Sequence, residues 1–298
     1  MTRRTHVVAA CIASLAVVVD GQSQTTSIVG AVFDYVVRQG DTWQSISSRY
    51  GIAVAPLAQL NARSTRTPLP IGEVIRVDGR HLVPHALSSG IVLNIPQRML
   101  FVMEEGAVVA AYPVGLGRPN WPTFVGAFTV VAAEEDPVWD VPPSIQEEQR
   151  RAGTKVLTRV APGPTNPLGK YWFGLSVPGF GIHGTNARLS IYRFETHGCV
   201  RLHADDIADL WSRVAVGTPG EIIYEPVLLA FRPEDLLLEA HPDIYRRSNA
   251  LDDEARVRQA AVSQGVDDVV DWPVVKQILQ LRDGRPHSVK FDSLAPAP

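Results

Sequence analysis

The sequence predicts a mainly β domain, sandwich-like or open-barrel-like, with one packed helix. A small βααβ unit precedes it and a mixed extension follows. Three observations point there. Short apolar runs bounded by turn residues recur between residues 91 and 224. Glycine and proline number 23 each, more punctuation than a helical bundle tolerates. Hydrophobic residues make up 45% of 298 and charged residues 20%, enough apolar matter for packed cores, which excludes wholesale disorder. The 28 basic and 31 acidic residues leave a formal charge of −3, without the basic excess of a nucleic-acid footprint.

Residues 1–21 read as an export signal. Arg3 and Arg4 precede an apolar run at 7–19, too short for a bilayer span, which takes about 20 residues. Val19 and Gly21 are small enough to precede a cleavage before Gln22. Val8-Ala9-Ala10-Cys11 loosely resembles a lipobox, but Cys11 arrives after too short an apolar run. Cleavage after Gly21 removes Cys11 and leaves Cys199 as the one thiol of an exported chain without a membrane span. Exported proteins meet an oxidising compartment, so a retained thiol asks for a reason. Three are open: a buried inert cysteine, an intermolecular bridge or a nucleophile.

Residues 35–77 form the βααβ unit. Tyr35-Val36-Val37-Arg38 opens as a strand, and Gly40-Asp41-Thr42 turns the chain and caps a helix. Trp43, Ile46 and Tyr50 give that helix one face, and Gly51 stops it. A second helix at 54–61 carries Leu57 and Leu60, and after the Pro68–Gly72 turn a strand returns at 73–77. With Leu60-Asn61 and Ile71-Gly72-Glu73-Val74-Ile75, these residues closely resemble a LysM module, Trp43 standing where that family often has leucine. The resemblance implies binding to N-acetylglucosamine-containing glycans, and so attachment to peptidoglycan glycan strands.

Residues 78–90 read as a linker by composition, with His81 and His85 solvated. Pro84 between them forbids the helix that would align the pair on a metal. In 91–225 strands are expected at 91–95, 100–103, 108–114, 128–132 and 171–177, with a hairpin at Glu104-Glu105-Gly106. The proline-rich stretch between the last two includes Pro137, Pro142, Pro143, Pro162, Pro164 and Pro167. One helix is expected here: Asp205 and Asp206 in its first turn, Ile207, Leu210, Trp211 and Val214 on one face, Gly217 at its end. In the extension, 226–298, a strand at 227–230 precedes a strand or short helix at 236–240. Helices are expected at 252–263 and after Asp271-Trp272-Pro273, the second stopped by Gly284.

Chemistry concentrates at Ile182-His183-Gly184-Thr185 and Thr196-His197-Gly198-Cys199-Val200-Arg201. A thiol is a poor nucleophile until a neighbour helps remove its proton. His183, sixteen residues before Cys199, leaves room for the chain to return an imidazole to the sulfur. If 197–201 is extended, His197, Cys199 and Arg201 share one face. Gly198 lets a substrate carbonyl approach the backbone, where N–H groups would stabilise an oxyanion. Arg201 offers a fork for a carboxylate. A zinc site from His183, His197, Cys199 and His203 lacks the paired-cysteine spacing of structural sites. His203 reads instead as opening the helix.

These motifs resemble the L,D-transpeptidase catalytic family, whose pattern is a His-Gly element followed by Ser/Thr-His-Gly-Cys and an Arg or Asn two residues on. Tyr112-Pro113-Val114-Gly115, Gly126-Ala127-Phe128, Pro162-Gly163-Pro164 and Asn166-Pro167-Leu168-Gly169 support the likeness over about 91–224. Residues 225–247 resemble the extension of Gram-negative members. Thr196 replaces the commoner serine, Phe124 a usual proline, and Tyr192 a common glycine. The resemblance implies a periplasmic, cell-wall-associated enzyme that needs no cofactor or metal. Cys199 would attack the bond between meso-diaminopimelate and D-alanine in a tetrapeptide stem, forming a thioester. An amine then resolves it, as a 3-3 cross-link or a lipoprotein attachment. His183 is the expected base, its other nitrogen oriented by the Gly184 carbonyl, and His197 a shaping residue. Gly198 and Cys199 are the expected oxyanion donors, and Arg201, with Thr196 and Gly184, the substrate-binding group. Trp121, Tyr171 and Trp172 are expected in the core rather than the cleft. Two other readings stand beside this one: an L,D-carboxypeptidase using water, and an inactive LysM-anchored wall-binding scaffold. Papain-like and endopeptidase families place cysteine before histidine, and sortases space the pair far more widely.

Overall fold

The computed structural model describes residues 28–84, 87–232, 235–247 and 250–290. The export segment read at 1–21, the Cys11 lipobox and His85 lie outside them. Strand β1 (Ile28–Val29) leads into the small unit: β2 (Val32–Val36), α1 (Trp43–Tyr50), α2 (Val54–Leu60) and β3 (Val74–Asp78). Thr42 caps α1 reciprocally. Its hydroxyl accepts from the Ser45 N–H, and the Ser45 hydroxyl accepts from the Thr42 N–H. Gly51 ends the helix at φ +68°, where a Cβ is penalised. Tyr35, Trp43, Ile46, Leu57, Ile75 and Val77 close a core of their own.

Strand β4 (His81–Leu82) pairs with β1. His81, expected in solvent, is 2% exposed. It is buried because its strand is pinned to a carboxylate in the C-terminal extension, described below.

The central domain holds β5 (Gly90–Asn94), β6 (Met99–Glu104), β7 (Ala107–Pro113), β8 (Leu116–Gly117), β9 (Gly126–Glu135), β10 (Trp139–Asp140), α3 (Pro143–Arg151), β11 (Arg159–Val160), β12 (Tyr171–Leu175), β13 (Gly181–His183), β14 (Phe194–Thr196), β15 (Val200–Arg201), α4 (Ala204–Arg213) and β16 (Pro219–Ile223). Eight of these strands form one sheet in the order β15-β13-β12-β9-β16-β5-β6-β7. It is antiparallel except where β13 meets β15 and β16 meets β5. The fold is mainly β, as the sequence predicts. Its inner face buries Ile91, Leu93, Leu100, Phe173, Ile182 and Val200 against Ile207 and Leu210 of α4. Helix α4 ends at Val214, which is already extended, and Gly217 serves the next turn at φ +97°.

Helix α3 is a second helix where one was expected. Pro143 occupies its first position, where a missing N–H costs nothing. It buries no residue, so it leaves no apolar stripe to read. Ion pairs from Glu147 to Arg150 and Arg151 lace its surface.

The extension adds β17 (Val227–Phe231), β18 (Leu236–Ala240), α5 (Ala250–Ser263), α6 (Trp272–Leu281) and β19 (Pro286–Ser288), with strands in the order β17-β18-β19. Residues 236–240 settle as a strand. Asp271 caps α6 by accepting from the Val274 N–H, and Arg282, not Gly284, ends it at φ +45°.

Glu239 of β18 ties three regions together. Fully buried, it accepts from the Leu82 N–H at 2.6 Å, the Gln97 amide at 2.9 Å and His241 Nε2 at 2.7 Å, with His81 Nδ1 at 3.3 Å. Burial alone would raise its pKa, but the bonds from His241 and His81 overcome that and hold it at about 2. A second tie joins the βααβ unit to the central domain, where His203 at the start of α4 places Nε2 3.1 Å from the Ser48 carbonyl of α1. Among the described residues, no helix is long and apolar enough to cross a membrane.

Candidate active site

Strands β13 and β15 run side by side, with Ile182 opposite Val200 and His183 opposite Arg201. Side chains alternate along a strand. Because Ile182 and Val200 are buried in the core, His183 and Arg201 face the opposite side. There a cleft of about 770 Å³ opens, lined by His183, Cys199 and Arg201 and by Trp121, Trp139, Trp172 and Phe180. Trp121 and Trp172, expected in the core, line this cleft. Tyr171 does pack inward, its ring stacked 4.7 Å from that of Trp211.

His183 is 4% exposed, with Nδ1 2.6 Å from the Gly184 carbonyl oxygen. Burial, reinforced by the charge of Arg201, pulls its pKa down to about 3, against the opposing pull of the Gly184 and Leu168 carbonyls. The imidazole is therefore neutral, with its proton on Nδ1 and a lone pair on Nε2. The Cys199 sulfur sits 3.8 Å from the Gly179 carbonyl. Burial pushes the thiol pKa up, against smaller opposing effects of the Gly181 backbone and then of the Arg201 charge. The resting pair is thus thiol and imidazole, not thiolate and imidazolium. Burial also lowers the Arg201 pKa, and its Nε has no hydrogen-bond partner among the described residues.

The segment before Cys199 is not the extended strand that would place His197, Cys199 and Arg201 on one face by alternation. Gly198 breaks it at φ +107°, and a Cβ there would come within 2.7 Å of the Phe180 ring. The turn brings the three residues into the cleft instead. Thr196 Oγ1 holds it, donating to the Cys199 carbonyl at 2.7 Å and accepting from the Gly198 N–H at 3.1 Å. That N–H, expected to stabilise an oxyanion, is therefore already engaged.

Four residues that sequence reasoning missed support the turn. Thr123 Oγ1 donates to the Gly198 carbonyl at 2.9 Å and accepts from the Gly117 N–H at 3.0 Å. Tyr245, from the extension, donates to the Gly117 carbonyl at 2.5 Å and accepts from the Thr123 N–H at 3.2 Å. His197 Nε2 meets Glu148 of α3 at 2.5 Å, and Arg118 bonds the same carboxylate at 2.8 Å. Trp121 abuts the His197 ring edge-on at 4.9 Å. Hydrogen bonds from Arg118 and then His197 hold the Glu148 pKa below the usual range. No local pattern marks these positions, since each acts through partners distant in the chain. His203 stands apart, against Ser48.

A neutral imidazole, a thiol and a guanidinium whose Nε is unpartnered among the described residues share one aromatic cleft, a set suited to acyl chemistry at a thiol. The family comparisons narrow that class. Residues 88–222 match the family model of the L,D-transpeptidase catalytic domain and residues 35–78 that of the LysM domain. A probable L,D-transpeptidase of Escherichia coli, YcfS, is 26% identical over 275 residues, covering 89% of this chain and 85% of its own. The ErfK/SrfK protein of Salmonella typhimurium, also a probable L,D-transpeptidase, is 28% identical over 287 residues, covering 93% and 92%. An L,D-transpeptidase structure from Mycobacterium tuberculosis overlays at a TM-score of 0.36 and 18% identity, covering 51% of this chain and 73% of that one.

Proposed function

We propose that the chain is an exported peptidoglycan L,D-transpeptidase whose nucleophile is Cys199. The observation that carries this is His183: neutral, fixed by Gly184, and facing the cleft that holds the Cys199 thiol. Nε2 takes the thiol proton as sulfur attacks the carbonyl between meso-diaminopimelate and D-alanine. The imidazolium then gives that proton to the departing amine, D-alanine leaves, and a thioester remains. The Cys199 N–H supports the oxyanion. Arg201 takes a stem carboxylate. An amine of a second stem or of a lipoprotein resolves the thioester, returning a proton through His183 to sulfur. Residues 35–77 hold the enzyme on glycan strands in the periplasm, with 91–225 as the catalytic domain. His197 shapes the cleft through Glu148.

Intact-mass spectrometry with a disaccharide-tetrapeptide tests this reading. The expected result is an adduct of the stem minus D-alanine, absent from Cys199→Ala. Hydrolysed tripeptide as the sole product would reassign the enzyme as an L,D-carboxypeptidase. Neither adduct nor product, with glycan binding intact, would reduce it to a wall-binding scaffold.

A further inference from the structure

Four neighbouring strands set Glu134, Trp172, His183 and Arg201 in one row. Trp172 of β12 pairs with Glu134 of β9 on one side and His183 of β13 on the other, and His183 pairs with Arg201 of β15. Residues directly opposite each other share a face of the sheet, and all four line the cleft. At about 4.8 Å per strand, the row spans about 14 Å of backbone from the strand of Glu134 to that of Arg201.

Glu134 reaches this face through a bulge. Val130 pairs with Leu175 and Ala132 with Gly174, so Val131 is left over. Before the slip, Phe128 and Val130 point into the core. After it, Ala132 and Glu134 lie beside Gly174 and Trp172 on the cleft side. Bulges next to active sites re-aim side chains in this way. The following residue, Glu135, faces away and pairs with Lys170 at 3.0 Å. Glu134 has no basic partner among the described residues. Between it and His183, the Trp172 indole lies across Gly181, where a Cβ would come within 2.2 Å of the ring. Its ring centre is 5.5 Å from that of His183.

The two ends of the row carry opposite charges, with the base between them. Arg201 answers a carboxylate; Glu134 and the indole face answer a cation. In the transpeptidase reading, on which this inference rests, the cation is the incoming amine. We propose that Glu134 and Trp172 form the acceptor arm of the cleft and select an ammonium-bearing acceptor over water. The ammonium collects at Glu134 and gives one proton to water at the cleft mouth. The amine lone pair then forms the new C–N bond, and the C–S bond breaks with its electrons going to sulfur. His183 takes the second nitrogen proton and passes it to Cys199, restoring the thiol.

The test is a partition experiment on the preformed thioester. N-α-acetyl-lysine amide serves as a cationic acceptor and hydroxylamine, neutral at pH 7.5, as the uncharged one. Glu134→Gln is expected to lower transfer to the lysine derivative relative to hydroxylamine by about three- to fivefold, through KM, the size of a partly solvated charge pair. Glu134→Asp restores part of the ratio, and high salt shrinks the difference. An unchanged ratio in Glu134→Gln, or one that salt does not affect, overturns the proposal while leaving the transpeptidase reading intact. Absence of a thioester in the unsubstituted protein overturns both.

Discussion

Nδ1 of His183 stands 2.6 Å from the carbonyl oxygen of Gly184, the next residue in the chain. That contact fixes the tautomer, while burial and Arg201 hold the pKa at about 3. A base that stays neutral to that pH does not switch off near the ordinary histidine value of about 6.5. We therefore expect kcat/KM for thioester formation at pH 5.5 to stay within about twofold of its value at pH 7.5. A tenfold drop centred near pH 6.5, measured by quenched mass spectrometry, would contradict this. His183→Gln should lower the same constant by about 10² to 10⁴.

Glu148 couples α3 to the His197 side of the cleft. Removing its carboxylate in Glu148→Ala leaves Arg118 and His197 without their shared acceptor. Hydrogen exchange across residues 143–151 should accelerate severalfold, because that helix buries nothing of its own. Since hydrogen bonds keep the carboxyl below its usual pKa, the contact persists above about pH 4.5 and weakens as the pH falls below it. Unchanged exchange would mean that other contacts hold α3.

Glu239→Ala removes a buried acceptor shared by four donors from three regions. A loss of about 3 kcal/mol is expected in denaturant titration. The linkage has a definite sign. With the folded pKa at about 2, below the ordinary carboxylate value, the carboxylate contributes its full stability above about pH 4.5. That contribution declines as the pH drops towards 2, and the variant should lack this part of the acid transition.

Tyr192 adopts φ +60°, a conformation that a side chain pays for with about 1 kcal/mol. Its ring is 2% exposed and lies 3.8 Å beneath the Arg98 guanidinium. Glycine relieves the backbone but empties the ring's place, a loss of about 3 kcal/mol or more. Tyr192→Gly should therefore destabilise by about 2 kcal/mol, read as a lower melting temperature. A gain in stability would show that strain outweighs packing.

Much of this was written locally. Thr42 and Gly51 bound α1 as read, because caps are chemistry between near neighbours. Ile207 and Leu210 mark the buried face of α4 for the same reason. Tyr192 stood out as a residue in a place where glycine is common, and its left-handed backbone is the physical content of that departure. What escaped depends on distant partners. His81 looked like a loop residue until Glu239, 158 positions away, buried it. Helix α3 has no apolar stripe to betray it. The bulge at Val131, which turns Glu134 into the cleft, depends on the register with β12, which composition does not encode.

Tyr245 is two hydrogen bonds removed from the turn that carries Cys199, through Thr123 to the Gly198 carbonyl. It comes from beyond residue 225, where the catalytic segment would ordinarily be cut for expression. A fragment trimmed there keeps every strand of the eight-stranded sheet and both halves of the Cys–His pair, yet lacks the strut under the loop that aims the sulfur. Such a fragment is expected to fold and to work poorly, which a survey of isolated domains would misread as intrinsic sluggishness. The shortest honest unit of this enzyme ends after Tyr245.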